Sequence, residues 1–336
     1  MSTVHFIYPR DLSRNDTPFA IGNELGRRLQ ADYPVRFHDW RSTERLDIGP
    51  GDVLIGHPHR RRHTAFQQGL ATPALRRRLV LAPYVPDLRQ VAWLDPIVSR
   101  CDLFLAITGR YWFERIAESS LRRWAPKMRH VDLAVDRARF APLPRQFNPP
   151  GRRRFVYIGH TAHNKNVGYL AALQSACPET RFGWIGRAGR RGIAGVEAFG
   201  ILDFAQTASR AILSKFDFLL TVGRCDANPT TILEAIAWGL VPVCTPQSGY
   251  DGQAGIVNLP LDDLPAAVAR LRMLQECPTQ ELLTLQAEGR AALDSHFHWD
   301  RVYAQVRDAI ESTESPLLQP PDWRHRWRLL PGRLIR

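Results

Sequence analysis

Short apolar segments alternate with segments of helical periodicity along the chain. In the first half, the apolar segments predict strands at residues 4–8, 35–40, 52–57, 79–84 and 102–108. Helical patterns lie between several of them, including residues 19–30 and 110–118. Short apolar strands that alternate with helices are typical of a parallel sheet covered on both faces. The first half therefore predicts an α/β domain.

The second half shows the same alternation of apolar segments and helical patterns. Strands are predicted at residues 154–159, 181–186, 196–199, 217–222 and 241–245, and helices at 167–176, 204–214, 230–238, 264–275, 279–292 and 299–311. A segment rich in proline and arginine, residues 142–153, separates the two halves and is predicted to be a linker.

Two similar halves joined by a linker predict two doubly wound, Rossmann-like α/β domains that face each other across a cleft. We expect the first domain to span residues 1–145 and the second 146–314, with residues 315–336 as a basic and aromatic tail. In doubly wound sheets, ligands bind outside the carboxyl ends of the strands. Those strand ends are therefore where functional residues are sought.

The composition is that of a globular protein. Hydrophobic residues make up 44% of the 336 residues and charged residues 23%, which excludes disorder for most of the chain. No apolar run approaches the roughly 18–20 residues that a membrane-spanning helix needs. The first residues lack the basic start of a secretory signal, so we expect a cytoplasmic protein. The five cysteines are widely spaced without a CxxC pair, which argues against a disulfide framework.

The net charge of +12 is concentrated in the first half, where residues 1–150 carry 24 basic and 15 acidic side chains. Only three of the 45 basic residues are lysines, so part of the excess reflects an arginine-rich composition. A basic half nevertheless indicates attraction to phosphate-bearing partners such as nucleotides, nucleic acids or anionic lipids.

The segment CDANPTTILEA, which begins at Cys225, carries the clearest chemical signal. Pro229 suits a first helical turn, and the unpaired N–H groups of Thr230 and Thr231 would form an anion site suited to a diphosphate. Glu234, one turn into the helix, can accept hydrogen bonds from sugar hydroxyls. In the alternative interpretation, Asp226 caps the loop and Glu234 only supports the helix dipole.

Several blocks around this segment occur in a characteristic order. They are VDLAVDRARFAP, VYIGHTAHNKNVGYLAAL, AILSKFDFLLTVGRCDANP, a D-x7-E run followed by AIAWGLVPV, and HFHWDRVYAQV. In order and spacing, the chain resembles the retaining nucleotide-sugar glycosyltransferases of the GT-B fold, glycosyltransferase family four, whose signature is E-x7-E. The resemblance covers roughly residues 131–311 and is weaker over the first 130 residues.

The resemblance implies roles for particular residues. It assigns Glu234 to the ribose hydroxyls of the donor nucleotide, Asp226 to hydroxyls of the transferred sugar, and Lys165 to the donor diphosphate. A fixed cation and helix N–H groups would stabilise the charge that builds on the leaving diphosphate. In the alternative interpretation, Lys165 is a solvated surface lysine without a functional role. The other donor-side residues of this loop are Asn228, Thr230 and Thr231.

The chain also departs from the family pattern. Asp226 stands in place of the usual first glutamate, which shortens the side chain by one methylene. His160 stands where the family has an arginine beside the diphosphate, so a permanent charge is lost. Arg187 is a candidate to compensate, with a surface arginine as the alternative.

In the first half, His57 and His59 follow a predicted strand and are candidates to contact the reacting sugar and the acceptor, His57 as a catalytic residue. A zinc site that includes His63 is disfavoured because no carboxylate or cysteine lies nearby in the sequence. The alternative is a loop that simply adds positive charge. We expect no metal and no cofactor, since the nucleotide-sugar is a substrate.

The basic and aromatic tail has two equally weighted interpretations. It can lie on an anionic membrane surface, at the inner face, which would suit a lipid-linked acceptor. It can instead pack back on the first domain. Nucleic-acid binding is a third and disfavoured interpretation, because no RNA- or DNA-binding motif accompanies the basic residues.

Two functions from different classes follow. The first is a retaining glycosyltransferase that moves a sugar from a nucleotide-diphosphate donor to a saccharide, a lipid-linked glycan or a small molecule. The second is a degenerate GT-B scaffold that binds a nucleotide, nucleic acid or anionic lipid without turnover. The nucleotide base, the sugar and the acceptor stay open.

Overall fold

A computed structural model describes residues 2–14, 16–60, 64–83, 91–140, 142–143, 146–188 and 192–312. By internal contacts the described chain divides into two compact units. The first unit comprises residues up to 133 together with 298–312, and the second comprises residues 134–297.

The first unit is built on a parallel sheet of six strands. They are β1 (Val4–Ile7), β2 (Val35–His38), β3 (Val53–Gly56), β4 (Arg77–Ala82), β5 (Leu103–Ala106) and β6 (Met128–His130). The strand order is β2-β1-β3-β4-β5-β6, with Val4 of β1 opposite Val35 on one side and Val53 on the other. The helices are α1 (Phe19–Asp32), α2 (Thr64–Leu70), α3 (Asp95–Val98) and α4 (Arg110–Ala117).

The second unit holds another parallel sheet of six strands. They are β7 (Arg154–Ile158), β8 (Arg181–Ile185), β9 (Val196–Gly200), β10 (Phe218–Thr221), β11 (Val241–Cys244) and β12 (Val257–Asn258). Their order is β12-β11-β10-β7-β8-β9, and the helices are α5 (Val167–Ala176), α6 (Thr207–Leu213), α7 (Thr230–Trp238), α8 (Leu264–Glu276) and α9 (Thr279–Ser295). Numbered within the unit, this is the 3-2-1-4-5-6 order of dinucleotide-binding folds, whose direction reverses between β7 and β10.

The strands β3, β5, β10 and β11 are buried along their whole length, as expected for parallel sheets with both faces covered. The short strands β6 and β12 were not predicted from the sequence. They have three and two residues, and they form because they pair with β5 and β11. A run that short carries no periodicity, so only the neighbouring strand defines it.

The helix α10 (Trp299–Glu311) belongs to the first unit. The sequence predicted domains at 1–145 and 146–314, which would place α10 in the second domain. In the structure, contacts place this helix in the first unit instead. The hydroxyl of Tyr303 donates to Asp32 on α1 at 2.5 Å, and the hydroxyl of Tyr33 donates to Glu311 at 2.6 Å. Periodicity identifies the apolar stripe of this helix but not the surface that covers it. The predicted tail, residues 315–336, lies outside the described residues.

Within the described ranges, no helix combines the length and the apolar character needed to cross a bilayer.

The packing of α10 yields a prediction for Ile310, which is fully buried in the first unit. We expect Ile310→Ala to lower the free energy of unfolding by about 2–5 kcal/mol, the usual cost of such a cavity. Arg307→Ala, at an exposed position of the same helix, is the control and should stay within about 0.5 kcal/mol of the wild type. Denaturant titration measures both, and equal losses would contradict the packing described.

Candidate functional site

The loops that follow β7 and β10 meet at the carboxyl edge of the second sheet. After β7 the chain forms a short 3-10 turn, His163–Lys165, before α5 begins. After β10 it continues into the loop that precedes α7. The backbone N–H of Arg224 donates to the carbonyl of Asn164 at 2.9 Å and joins the two loops. They therefore lie at the point where the strand order reverses, which is where ligands bind in such sheets.

This arrangement brings together two of the residues singled out in the sequence. The Lys165 ammonium donates to Oδ2 of Asp226 in a close ion pair. Asp226 is only 7% exposed, and its Oδ1 accepts from the N–H of Ala227 at 3.1 Å. Its own backbone N–H donates to the carbonyl of Gln247 at 3.0 Å. Lys165 and Ala227 thus hold the carboxylate, and Gln247 holds the backbone of the same residue.

Helix α7 begins beside this pair. Pro229 precedes Thr230, and no side chain in the described part of the protein caps this end of the helix. The side chains of Thr230 and Thr231 are both half-buried. The loop that leads into the uncapped N-terminus of this nine-residue helix therefore carries the aspartate that Lys165 contacts, and an uncapped helix N-terminus is suited to an anion.

Asn228 shapes the turn into α7. Its φ of +41° is left-handed, and its side chain is buried. A Cβ on Gly249, whose own φ is +95°, would lie 1.9 Å from Oδ1 of Asn228. Only glycine fits at position 249. The Asn228 side chain thus packs beneath the loop that was assigned to the donor and supports it from inside.

Glu234 is half-buried on α7, one turn from its start. Burial raises the pKa of its carboxyl to about 7, and the hydrogen bond from the Thr230 side chain opposes that shift in part. A carboxyl with this pKa changes charge near neutral pH, which is a property common at binding and catalytic sites.

His160 and Arg187 are exposed, on the loops after β7 and β8. These loops cross closely, since a Cβ on Gly186, where φ is +129°, would lie 2.2 Å from the carbonyl oxygen of Gly159. The Nδ1 of His160 accepts from the N–H of Ala162 at 3.1 Å. The structure therefore places both residues at the same edge of the sheet as Lys165, on the solvent side.

The sequence analysis missed three residues of this edge. Arg224 approaches Asn166 across the loops, with 3.4 Å between its Nη2 and Oδ1. Gln247 holds the backbone of Asp226, and the Tyr157 hydroxyl donates to the carbonyl of His160 at 2.8 Å. Burial raises the pKa of Tyr157, and the nearby charge of Asp226 raises it further. The contacts of Arg224 and Gln247 join separate segments of the chain, so no local sequence pattern predicts them.

The first sheet has its own reversal of order, between β1 and β3. Tyr8 follows β1 and His57 follows β3, and their ring centroids lie 5.3 Å apart. The Trp40 ring lies 5.0 Å from that of His57 and 4.7 Å from that of His59. Four rings thus cluster at this end of the sheet. His63 lies outside the described residues.

His57 is a neutral group at physiological pH. It is 8% exposed, and burial lowers its pKa to about 4. Its Nδ1 lies 2.9 Å from the carbonyl oxygen of Pro58, so Nδ1 carries the hydrogen and Nε2 is the unprotonated nitrogen. A hydroxyl can donate to such a nitrogen.

No family model matches the sequence, and no curated protein matches it by sequence. Solved structures do match the fold. Sucrose-phosphate synthase from Thermosynechococcus elongatus has a TM-score of 0.65 at 15% identity, over 92% of this chain and 98% of that one. HepE from Anabaena, in complex with UDP and glucose, has a TM-score of 0.63 at 11% identity, over 92% and 99%. Trehalose 6-phosphate synthase from Burkholderia multivorans has a TM-score of 0.63 at 10% identity, over 92% and 96%.

These neighbours are GT-B glycosyltransferases. This chain has the GT-B fold. The fold class predicted from the sequence is thereby confirmed, while the low identities leave the activity to be argued from the site.

The pKa of Glu234 gives a prediction. The folded pKa of about 7 lies above the ordinary value of 4.5, so the folded state binds more protons between these pH values. The free energy of unfolding of the wild type should therefore fall as pH rises from 4.5 to 7, by at most about 3 kcal/mol from this group. Glu234→Gln should remove that loss.

Denaturant titrations at pH 5 and pH 8 measure the effect. The free energy of unfolding of Glu234→Gln minus that of the wild type should be larger at pH 8 than at pH 5. The reason is that ionisation of Glu234 destabilises only the wild type between these pH values. Glu276→Gln, at an exposed position of α8, is the matched control. A Glu234→Gln difference that is the same at both pH values would contradict the assignment.

Proposed function

We propose that this protein is a glycosyltransferase that transfers a sugar from a nucleotide-diphosphate donor to an acceptor with retention of anomeric configuration. The observation that carries the proposal is the contact of the Lys165 ammonium with Asp226 in the loop that leads into the uncapped N-terminus of α7, at the reversal point of the second sheet. Both groups attract a diphosphate, and the sheet order supplies the crevice for it.

The chemistry follows from the leaving group. When the bond from the sugar to the diphosphate breaks, negative charge builds on the diphosphate oxygens. An ammonium and backbone N–H groups that are already in place stabilise this charge without reorganising during the reaction. Thr230 and Thr231 supply the N–H groups, and Lys165 supplies the cation. This donor set needs no divalent metal, so the expectation of a reaction without a metal stays part of the proposal.

Glu234 suits the ribose of the donor. A carboxylate one turn inside α7 accepts hydrogen bonds from two vicinal hydroxyls while the helix N-terminus holds the phosphates. Because the Glu234 pKa is about 7, this acceptor is fully charged only above neutral pH. Donor affinity should therefore depend on pH through this group.

The ring cluster of the first unit suits the acceptor side. His57 offers its unprotonated Nε2 to a hydroxyl, and Trp40 and His59 offer ring faces and edges to an apolar face of a sugar. We assign His57 to the reacting sugar and His59 to the acceptor. The acceptor classes are a saccharide, a lipid-linked glycan or a small molecule, at a cytoplasmic site that includes the inner membrane surface.

UDP and UDP-glucose are the first donor probes, since the HepE structure holds UDP and glucose. Thermal shifts with UDP, GDP, ADP and their sugar conjugates identify the nucleotide. A ligand at about 1,000 times its dissociation constant should add about 4 kcal/mol of apparent stability. We expect Lys165→Ala to lose most of that gain because the diphosphate loses its cation.

Lys215→Ala is the matched control, since Lys215 is an exposed lysine of the same unit. It should keep the full thermal shift. A Lys165→Ala protein that shifts as much as the wild type would remove the site assignment.

Release of the nucleoside diphosphate from the donor then separates the two functions. A glycosyltransferase of this kind should release it in the presence of an acceptor, and Glu234→Ala should abolish that release. Binding without release under an acceptor screen would favour the non-catalytic scaffold. Binding to a nucleic acid would be indicated by an affinity that falls steeply as the salt concentration rises.

A further inference from the structure

The Lys165–Asp226 pair changes the charge that a diphosphate would meet. The carboxylate lies in direct contact with the ammonium, so the two formal charges cancel at short range. The Lys165 side chain is 20% exposed and that of Asp226 is 8% exposed, so water screens the pair only in part. Lys165 therefore presents a neutral pair, and not an isolated cation, to an incoming anion.

The surroundings hold Asp226 in place. Its Oδ1 is bonded by the N–H of Ala227, and its backbone is bonded to Gln247. Lys165 has more freedom, because its ammonium carries three N–H donors on a long, flexible stem. An arriving diphosphate can therefore draw the ammonium toward itself, while the carboxylate stays where it is.

We propose that Asp226 is the counter-ion that a donor diphosphate must displace or share at Lys165, and that it thereby weakens diphosphate binding and favours product release. The proposal rests on the proposed function, because it takes the diphosphate to bind at this edge. It departs from the role implied by the sequence resemblance, in which Asp226 contacts hydroxyls of the sugar. A carboxylate whose two oxygens are engaged by Lys165 and by the N–H of Ala227 fits the counter-ion role.

Two opposing effects decide the sign. Asp226 immobilises the lysine before the ligand arrives, and losing that preorganisation would weaken binding a few-fold. Asp226 also competes with the diphosphate for the ammonium, and giving up a partly screened ion pair at this range changes affinity on the order of tenfold or more. Competition is the larger effect, so removal of the carboxylate charge should tighten binding.

The first test is a double-mutant cycle read by calorimetry with UDP, and with GDP and ADP in parallel. Asp226→Asn should bind the nucleoside diphosphate on the order of tenfold more tightly than the wild type. In the Lys165→Met background, the same Asp226→Asn change should give a markedly smaller gain, because no ammonium is left to release. Asp203→Asn, at an exposed loop position of the same unit, controls for net charge.

Unchanged or weaker binding of the nucleoside diphosphates by Asp226→Asn would overturn the proposal. If only UDP-glucose binds more weakly, Asp226 contacts hydroxyls of the sugar instead. If the wild type binds none of the three nucleotides, the proposed function fails instead.

The second test needs no nucleotide and does not use Lys165→Met, so it stands even if that variant folds poorly. The chain has three lysines, Lys127, Lys165 and Lys215, so limited acetylation by N-hydroxysuccinimidyl acetate can be read at each site by mass spectrometry. Lys165 should react several-fold faster in Asp226→Asn than in the wild type, because the ion pair with the Asp226 carboxylate restrains the nitrogen and blocks its approach to the reagent. Lys215 should react equally in both. Equal rates at Lys165 would show that the pair does not persist in solution and would overturn the proposal.

Discussion

The order of strands in the second sheet is the constraint on which the candidate site depends. The connection after β7 leads toward β8 on one side of the sheet, and the connection after β10 leads toward β11 on the other side. A crevice therefore forms between the two loops where they begin. One loop carries Lys165 and the other carries Asp226 and the start of α7. Had the strands followed each other in chain order, those loops would not share one crevice. A single backbone hydrogen bond, from Arg224 to Asn164, ties the loops together.

Electrostatics then determines what this edge can hold. The uncapped start of α7 supplies a fixed partial positive charge that no titration removes. Lys165 supplies a full charge, but Asp226 neutralises it in a direct ion pair. This pair is therefore neutral in itself even though the chain carries a net charge of +12. Overall basicity and the charge at one position are separate properties here.

Burial tunes two further groups in opposite directions. It raises the pKa of Glu234 to about 7 and lowers that of His57 to about 4. In both cases the neutral form is favoured, because moving a charge out of water is costly. Glu234 therefore carries a cost in stability when it is charged. His57 stays neutral across the physiological range.

The sequence by itself determined the local elements. Alternating apolar and helical patterns located α7 and α10 to the residue, and they located ten of the twelve described strands to within about two residues at most ends, because burial of a strand or a helix face leaves a period in the sequence. The tertiary structure decided everything that joins distant segments: the strand order, the first-unit partner of α10, the two short edge strands, and the contact between Lys165 and Asp226, which are 61 positions apart. It also showed that Asn228 packs inward. Contacts between distant segments depend on how sheets and helices pack together. A local pattern of apolar and polar residues does not predict them.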